Sequence, residues 1–313
     1  MIPSQRDVQQ AFDRVRPHVH QTPVLTSRLL DELSGASIFF KCENFQKMGA
    51  FKMRGAINAI LQISRANQAK GVVTHSSGNF AQAVSLAAKN LGIPAYIVMP
   101  NNAPQVKKDA VISYGGIIYE SEATITAREA MASHIQKKTG ATFLHPSNHI
   151  DVILGQGTAA IELLKEHPSI HSIITPVGGG GLLAGSALAA KYYGSYMDVY
   201  AGEPFNADDG YRSLQSGKIE YNTTANTIAD GLRTNLGDKN FPIIKTLVTD
   251  IIRVEEQEII AAMKLLWERL KIIIEPSCAV PFAALLKDKK TFTGKKVGII
   301  LSGGNVDLTN LPF

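Results

Sequence analysis

Lys52 stands between Phe51 and Met53, just before an apolar helical run over 56–63. Apolar neighbours desolvate an ammonium, lower its pKa and free the amine as a nucleophile. Such an amine captures carbonyl compounds as Schiff bases. The plain alternative is a surface lysine at a helix start. A second segment, Gly178-Gly179-Gly180-Gly181, lies between an apolar strand-like run, 171–177, and a helix-like run, 182–193. Glycine has no side chain to hinder close approach. Successive N–H groups can then converge on one anion, helped by the positive end of the following helix. The turn reads as a phosphate holder, and these residues leave open which phosphate it holds. Gly179-x-Gly181-x-x-Ala184 also satisfies the dinucleotide fingerprint, with Asp198 or Glu203 near the ~20-residue distance of a ribose-binding acid. A structural turn is the third reading. No Gly-Lys-Ser/Thr closes the segment, so it is not a P-loop.

Three further segments carry chemistry-bearing side chains. Ser76-Ser77-Gly78-Asn79 follows a strand-like run and opens a helix-like one. An N-cap with a glycine turn accounts for one serine. The doubled serine suits a cradle of hydroxyls and backbone donors for a carboxylate, with Asn79 as an added donor. Ser302-Gly303-Gly304-Asn305 follows the run 296–301. It reads either as a plain turn or as a strand end that aims the Ser302 hydroxyl at a ring nitrogen. Glu203, Asp208 and Asp209 offer oxygen ligands to a hard cation; the alternative is a loop that uses Asn and Asp as turn formers.

The elements that must position these residues are legible from the apolar pattern. Strands are expected over 71–75, 94–99, 116–119, 141–144, 172–177, 197–202, 247–254 and 297–301. Helices are expected over 80–91 and 123–138 as well as 182–193. Many of the strand runs are apolar almost throughout, as buried parallel strands are. The alternation argues for a doubly wound, mostly parallel α/β architecture. Ligands in such folds bind at the carboxyl ends of strands, near a topological switch point. The segments at 76–79, 178–181, 203–209 and 302–305 all fall at such ends, which suggests one pocket. A compact unit over 70–146 is expected as a small domain inserted in a larger one built from 1–69 and 147–313.

Bulk properties bound the class. The chain has 313 residues, of which 45% are hydrophobic and 19% charged, an ordinary globular composition. The formal net charge is +5, but the lysine pairs 107–108, 137–138, 289–290 and 295–296 are scattered and lack interleaved aromatics. Nucleic-acid binding is therefore not expected. Cys42 and Cys278 are far apart in sequence and lack metal-type spacing, so two free thiols in a reducing compartment are expected. The start of the chain reads without an apolar signal core, and no apolar run is long enough for a membrane span. A cytoplasmic protein is the expectation.

Taken in order, Phe51-Lys52-x-Arg54-Gly55-Ala56, Ser76-Ser77-Gly78-Asn79, Gly155-Gln156-Gly157-Thr158, Gly178–Gly181 and Ser302-Gly303-Gly304-Asn305 resemble the serine/threonine dehydratase and serine racemase family of fold-type II pyridoxal-phosphate enzymes. The resemblance runs from Thr22-Pro23-Val24 to Asn305. It implies a tryptophan synthase β-like fold, a homodimer and pyridoxal 5′-phosphate as cofactor. It also implies that Lys52 bonds to the cofactor aldehyde and moves the substrate's α-proton. Phe51 would lie against the cofactor ring, Asn79 would bind its phenolic oxygen, Gly178–Gly181 would hold its phosphate, and Ser302 would pair with its pyridine nitrogen. Ser76, Ser77 and Asn79 would face the substrate carboxylate. The implied activity is loss of water and ammonia from L-serine or L-threonine. A serine at 77, where many dedicated dehydratases carry alanine, adds serine racemisation, with Lys52 and Ser77 on opposite faces of a planar carbanion.

The resemblance further implies a divalent-cation site, Mg2+ or else Mn2+ or Ca2+, at Glu203, the Ala207 carbonyl and Asp209. Lys47, Ala110 and Tyr114 match parts of an ATP site found between subunits of eukaryotic-type racemases. Met48 and Arg28 replace smaller polar residues there. Phe80 replaces a histidine common among relatives. Arg128 and Thr234 occupy positions that face the distal part of the substrate, and Arg128 could bind a second carboxylate bidentately. This makes threo-3-hydroxyaspartate an alternative substrate. Two readings from other classes are an NAD(P)-dependent oxidoreductase built on Gly179–Ala184 and a non-catalytic small-molecule binding module. The family's C-terminal regulatory domain is not expected in this chain.

Overall fold

The computed structural model describes residues 2–313. Its strands are β1 (Val24–Leu25), β2 (Ser37–Cys42), β3 (Val72–His75), β4 (Ala95–Pro100), β5 (Ile117–Ser121), β6 (Thr142–Phe143), β7 (Ser172–Pro176), β8 (Asp198–Pro204), β9 (Asp250–Val254) and β10 (Lys296–Leu301). They form two sheets, ordered β1-β2-β10-β7-β8-β9 and β5-β4-β3-β6. Every pairing is parallel except the short β1–β2 edge. The expected doubly wound α/β architecture is what the chain adopts. The sequence reading passed over β2, which lies between the edge strand and β10.

Strand order locates the ligand-binding edges. In the larger sheet the chain runs β7, β8, β9 in one direction and then returns to place β10 on the other side of β7. In the smaller sheet it runs β3, β4, β5 and then places β6 on the other side of β3. Each reversal opens a crevice at the carboxyl ends of its two central strands. In the larger sheet Ile299 pairs with Ile174, and Pro176 pairs with Gly202. The segments that follow β10, β7 and β8, beginning at Ser302, Val177 and Phe205, therefore leave the sheet side by side. In the smaller sheet the corresponding segments begin at His75–Ser76 and Leu144–His145.

Three helices join the two sheets. Helix Lys52–Leu61 places Met53, Ile57 and Ile60 in the apolar core beneath the smaller sheet, with Phe80, Val84 and Ile97. Its other side meets the buried helix Ile150–Glu166, which in turn packs on Gly181–Tyr193. The close approach depends on glycine. A Cβ at Gly155 would lie 2.4 Å from the Arg54 carbonyl, and one at Gly157 would lie 2.4 Å from that of Gly185. The Gly155-x-Gly157 pair thus brings the lysine-bearing helix and the glycine-turn helix to one central helix.

Candidate active site

Lys52 is the first residue of its helix, and its Nζ donates to the Pro146 carbonyl at 2.9 Å. The ammonium lies 5.0 Å from the Phe51 ring centroid and 5.7 Å from that of Phe80. Burial pushes its pKa down to about 8, against the opposing pull of Glu275. Such an amine is partly deprotonated near neutral pH, as Schiff-base chemistry needs.

A buried ion network fixes the start of this helix. Arg54, two residues on, donates through Nε and Nη2 to both oxygens of Glu43, at 2.7 and 2.8 Å, and through Nη1 and Nη2 to both oxygens of Glu162, at 2.8 Å each. Lys41 Nζ reaches Glu162 at 2.7 Å, and Thr22 donates to Glu43 at 2.6 Å. Two cations face two carboxylates, so the charges balance where water is excluded. Burial alone would raise the Glu162 carboxyl, yet Arg54 and Lys41 hold it below the usual range. Lys41 sits on β2, and this inward charge interrupts the apolar pattern that would have announced the strand.

The glycine turn closes the other side. Gly180 has φ +77°, a left-handed conformation suited to glycine. Among the described residues, the N–H groups of residues 178–182 donate to no protein acceptor. Every glycine of the turn is packed from behind: a Cβ would meet Leu232 from Gly178, the Ser147 Oγ from Gly179, the Leu236 side chain from Gly180 and Gln156 from Gly181, each at 2.4–2.6 Å. The turn is thus a rigid row of free donors at a helix N-terminus, and it fits a phosphate. Thr234 lies against Gly179, with its Oγ1 3.0 Å from the position of a Cβ there.

Ser302 is buried, and its carbonyl accepts from the Phe51 N–H at 3.0 Å, tying that turn to the lysine segment. Its hydroxyl bonds to no group among the described residues. Ser76 accepts from the Gly78 N–H through its own hydroxyl at 3.4 Å, and Ser77 has no partner among the described residues. Asn79 is more committed. Its amide nitrogen donates to both oxygens of Glu275 at 3.0 Å, and its oxygen accepts from Asn305 at 2.8 Å.

Glu275 was missed in the sequence. Burial pushes its pKa up to about 7, against the hydrogen bond from Asn79. A Cβ on Gly303 would lie 2.9 Å from its carboxylate, so it adjoins the Ser302 turn. It precedes a proline-initiated helix, Pro276–Lys287, where an acidic residue reads as ordinary capping. The histidines were missed for a similar reason. His75 ends β3 and His145 lies two residues beyond β6, with ring centroids 5.7 Å apart. Burial first, then His75 and Lys52, push His145 down to about 4. Arg128 adds positive charge to this corner: it depresses His75, though less than burial does. Its guanidinium bonds to no acceptor among the described residues, and its Nε is buried.

The acidic loop stands apart. Glu203 is buried and accepts from the Gly210 and Tyr211 N–H groups at 2.9 and 2.7 Å. Asp209 is buried and accepts from Leu236 N–H and Asn222 Nδ2 at 3.0 and 2.7 Å. Burial, then mutual repulsion, pushes Glu203 well up, and burial pushes Asp209 to about 6. Two neighbouring buried carboxylates without a direct cationic partner suit a hard cation. Asp208 does not join them; it pairs with Arg212 and Arg253, both at 2.8 Å. Among the described residues no three His, Cys, Asp or Glu side chains form a metal cluster, so backbone carbonyls and water would have to complete the shell. Lys47 donates to the His18 carbonyl at 2.8 Å, Arg28 pairs with Glu32 at 3.2 Å, and Ala110 and Tyr114 lie on and just after the helix Gln105–Ser113.

The chain is similar to known proteins over nearly its whole length. The model of the pyridoxal-phosphate dependent enzyme family matches residues 15–303. The chain is 51% identical to a serine racemase of Arabidopsis thaliana, over 97% of this chain and 93% of that protein. It is 47% identical to a β-hydroxyaspartate dehydratase of Paracoccus denitrificans (strain Pd 1222), over 100% and 99%. The crystal structure of a serine racemase from Dictyostelium discoideum superposes with a TM-score of 0.94 at 48% identity, covering 98% of this chain and all of that one. The family match favours pyridoxal phosphate over a dinucleotide as the cofactor of the chain.

Proposed function

The chain belongs to the pyridoxal-phosphate-dependent enzyme family, and on that premise we propose that it acts on β-hydroxy amino acids. The reactions are racemisation of serine and elimination from L-serine and L-threonine. Serine gives pyruvate and ammonia; threonine gives 2-oxobutanoate and ammonia. The observation that carries this reading is Lys52 itself, a buried amine of depressed pKa between two aromatic rings where two strand-end crevices meet.

When bound, pyridoxal phosphate supplies an aldehyde for that amine and an electron sink for charge at the substrate's α-carbon. The amides of Gly178–Gly181 would hold its phosphate, Phe51 would lie against its ring, Asn79 would face its phenolic oxygen and Ser302 its ring nitrogen. A neutral hydroxyl at Ser302, rather than a carboxylate, weakens the pull on the ring nitrogen's proton and favours early loss of the β-hydroxyl over transamination. Lys52 Nζ takes the α-proton from one face. The Ser77 hydroxyl returns one from the other, with Ser76 and Asn79 at the carboxylate.

Mg2+, or Mn2+ or Ca2+, at Glu203, the Ala207 carbonyl and Asp209 is part of the proposal, supported by the two buried carboxylates. A homodimer, expected from the resemblance, and a cytoplasmic setting, in keeping with free, buried Cys42 and Cys278, complete it. ATP is left out, because Met48 and Arg28 stand where the resembled site carries smaller polar residues. Among the described residues no helix is long and apolar enough to cross a membrane.

Arg128 favours a second reading. A guanidinium without an acceptor beside the pocket suits a substrate with a second carboxylate, which points to threo-3-hydroxyaspartate; Thr234 would face the same end. One substrate panel tests both readings, following keto acid, ammonia and D-amino acid together. We expect Ser77→Ala to lose D-serine formation by at least ~10²-fold while elimination from L-serine survives. Racemisation unchanged in that variant removes Ser77 from its role. Turnover of 3-hydroxyaspartate that is insensitive to Arg128→Leu removes the second reading.

A further inference from the structure

We propose that His145 is a positioning residue for Lys52, acting through the Pro146 carbonyl. The inference rests on the assignment of Lys52 as the cofactor-bonding amine. His145 Nδ1 accepts from the N–H groups of Ser147 and Asn148, at 3.2 and 2.8 Å. Two donors aimed at one ring nitrogen fix the tautomer: Nδ1 carries no proton and Nε2 carries it. The ring thereby folds residues 145–148 into a turn back over itself. That turn presents the Pro146 carbonyl, which accepts from Lys52 Nζ at 2.9 Å and from Gln156 Nε2 at 3.2 Å.

The same turn reaches the phosphate cradle. Ser147 Oγ backs Gly179, and Asn240 Nδ2 donates to the carbonyls of both Ser147 and Gly179, at 3.2 and 2.8 Å. Asn148 is tied by its amide to Asp238, at 2.8 Å. One imidazole therefore sets the distance between the amine and the row of free N–H donors, the two points a phosphorylated aldehyde must span. Its depressed pKa agrees, since a proton on Nδ1 would face two donors; the ionisable groups acting on it are His75, Lys52, His149 and Asp238. The ionisable group acting on Lys52 is Glu275.

The test uses the cofactor-free protein and pyridoxal phosphate as probe. Lys52 Nζ attacks the aldehyde carbon, water leaves, and borohydride reduction fixes the product for mass analysis. Capture is followed against pH in wild type, His145→Leu and His145→Asn. The carbonyl partner favours the ammonium, so its loss shifts the capture midpoint down by about one pH unit. It also lowers phosphate-dependent affinity, seen as a weaker preference for pyridoxal phosphate over pyridoxal. Asparagine places an acceptor oxygen where Nδ1 stands, so His145→Asn retains the wild-type midpoint and preference. Wild-type behaviour in His145→Leu, or failure of His145→Asn to differ from His145→Leu, overturns the inference. If His145→Leu does not fold, a wild-type midpoint in His145→Asn still supports it and a shifted one overturns it. No capture at Lys52 in wild type would instead remove the cofactor assignment, and this inference with it.

Discussion

Two clusters of buried charge begin two residues apart in the sequence, and the fold treats them oppositely. Arg54 meets Glu43 and Glu162, with Lys41 alongside, and every charge has a partner within 2.8 Å. Lys52 has only a carbonyl as its hydrogen-bond acceptor, while Glu275 receives an amide and His145 two backbone N–H groups. Compensated burial holds groups in their charged forms. Uncompensated burial moves Lys52 to about 8 and Glu275 to about 7, into the range where protons move at physiological pH. The first cluster builds the helix and the second uses it.

The largest effect that would break this comparison is at Lys52. We expect Lys52→Ala to lower keto-acid formation by at least ~10³-fold and abolish the visible absorption of the cofactor-loaded enzyme. In the cofactor-free protein it should not lower the denaturation midpoint at pH 7. The sign follows from the depressed pKa: the contribution of Lys52 to stability is present above its unfolded value, 10.5, and is lost as pH falls through about 8. A marked loss of stability in Lys52→Ala would make the lysine structural. Arg54→Ala should do the reverse and cost about 3–5 kcal/mol in urea denaturation, because it leaves Glu43 buried without a cation and Glu162 with Lys41 alone. A loss below about 1 kcal/mol would show that water enters the network.

Glu275→Gln sharpens the contrast. The folded pKa of Glu275, about 7, lies above its unfolded value of 4.5, so its contribution is full below 4.5 and is lost as pH rises through 7. Relative to wild type, the variant should gain stability between pH 5 and 8, on the order of 3 kcal/mol at most. Parallel pH–stability curves would place Glu275 in the compensated class.

The acidic loop extends the comparison to a third case, two buried carboxylates without a direct cationic partner. We expect chelation to lower the thermal midpoint and Mg2+ to restore it, with a linkage of about 2–3 kcal/mol at a hundredfold excess over Kd. Glu203→Gln should abolish the response. Insensitivity of wild type to chelator would leave Glu203 and Asp209 held by their N–H donors alone.

Much of this was legible in the residues. Apolar strands such as Val72–His75 and Ser172–Pro176 announced a parallel sheet because they are buried on both faces. The glycine turn announced an anion because a backbone free of side chains has few other uses at a helix start. β2 was passed over because Lys41 points into the core, where a charge reads as surface until Glu162 is seen beside it. Glu275 and His145 carried no local signal, since their meaning lies in neighbours more than 90 residues away, Asn79 and Lys52.

By itself, then, the sequence determined what local pattern can carry: the alternation of elements, a lysine between apolar neighbours, a glycine-rich turn before a helix and the resemblance of their order to one enzyme family. Only the tertiary structure decided which charges are neutralised and which are left to titrate. That outcome depends on burial and on partners brought together by the crossing of three helices and two strand-end crevices, and neither quantity is a property of any single segment.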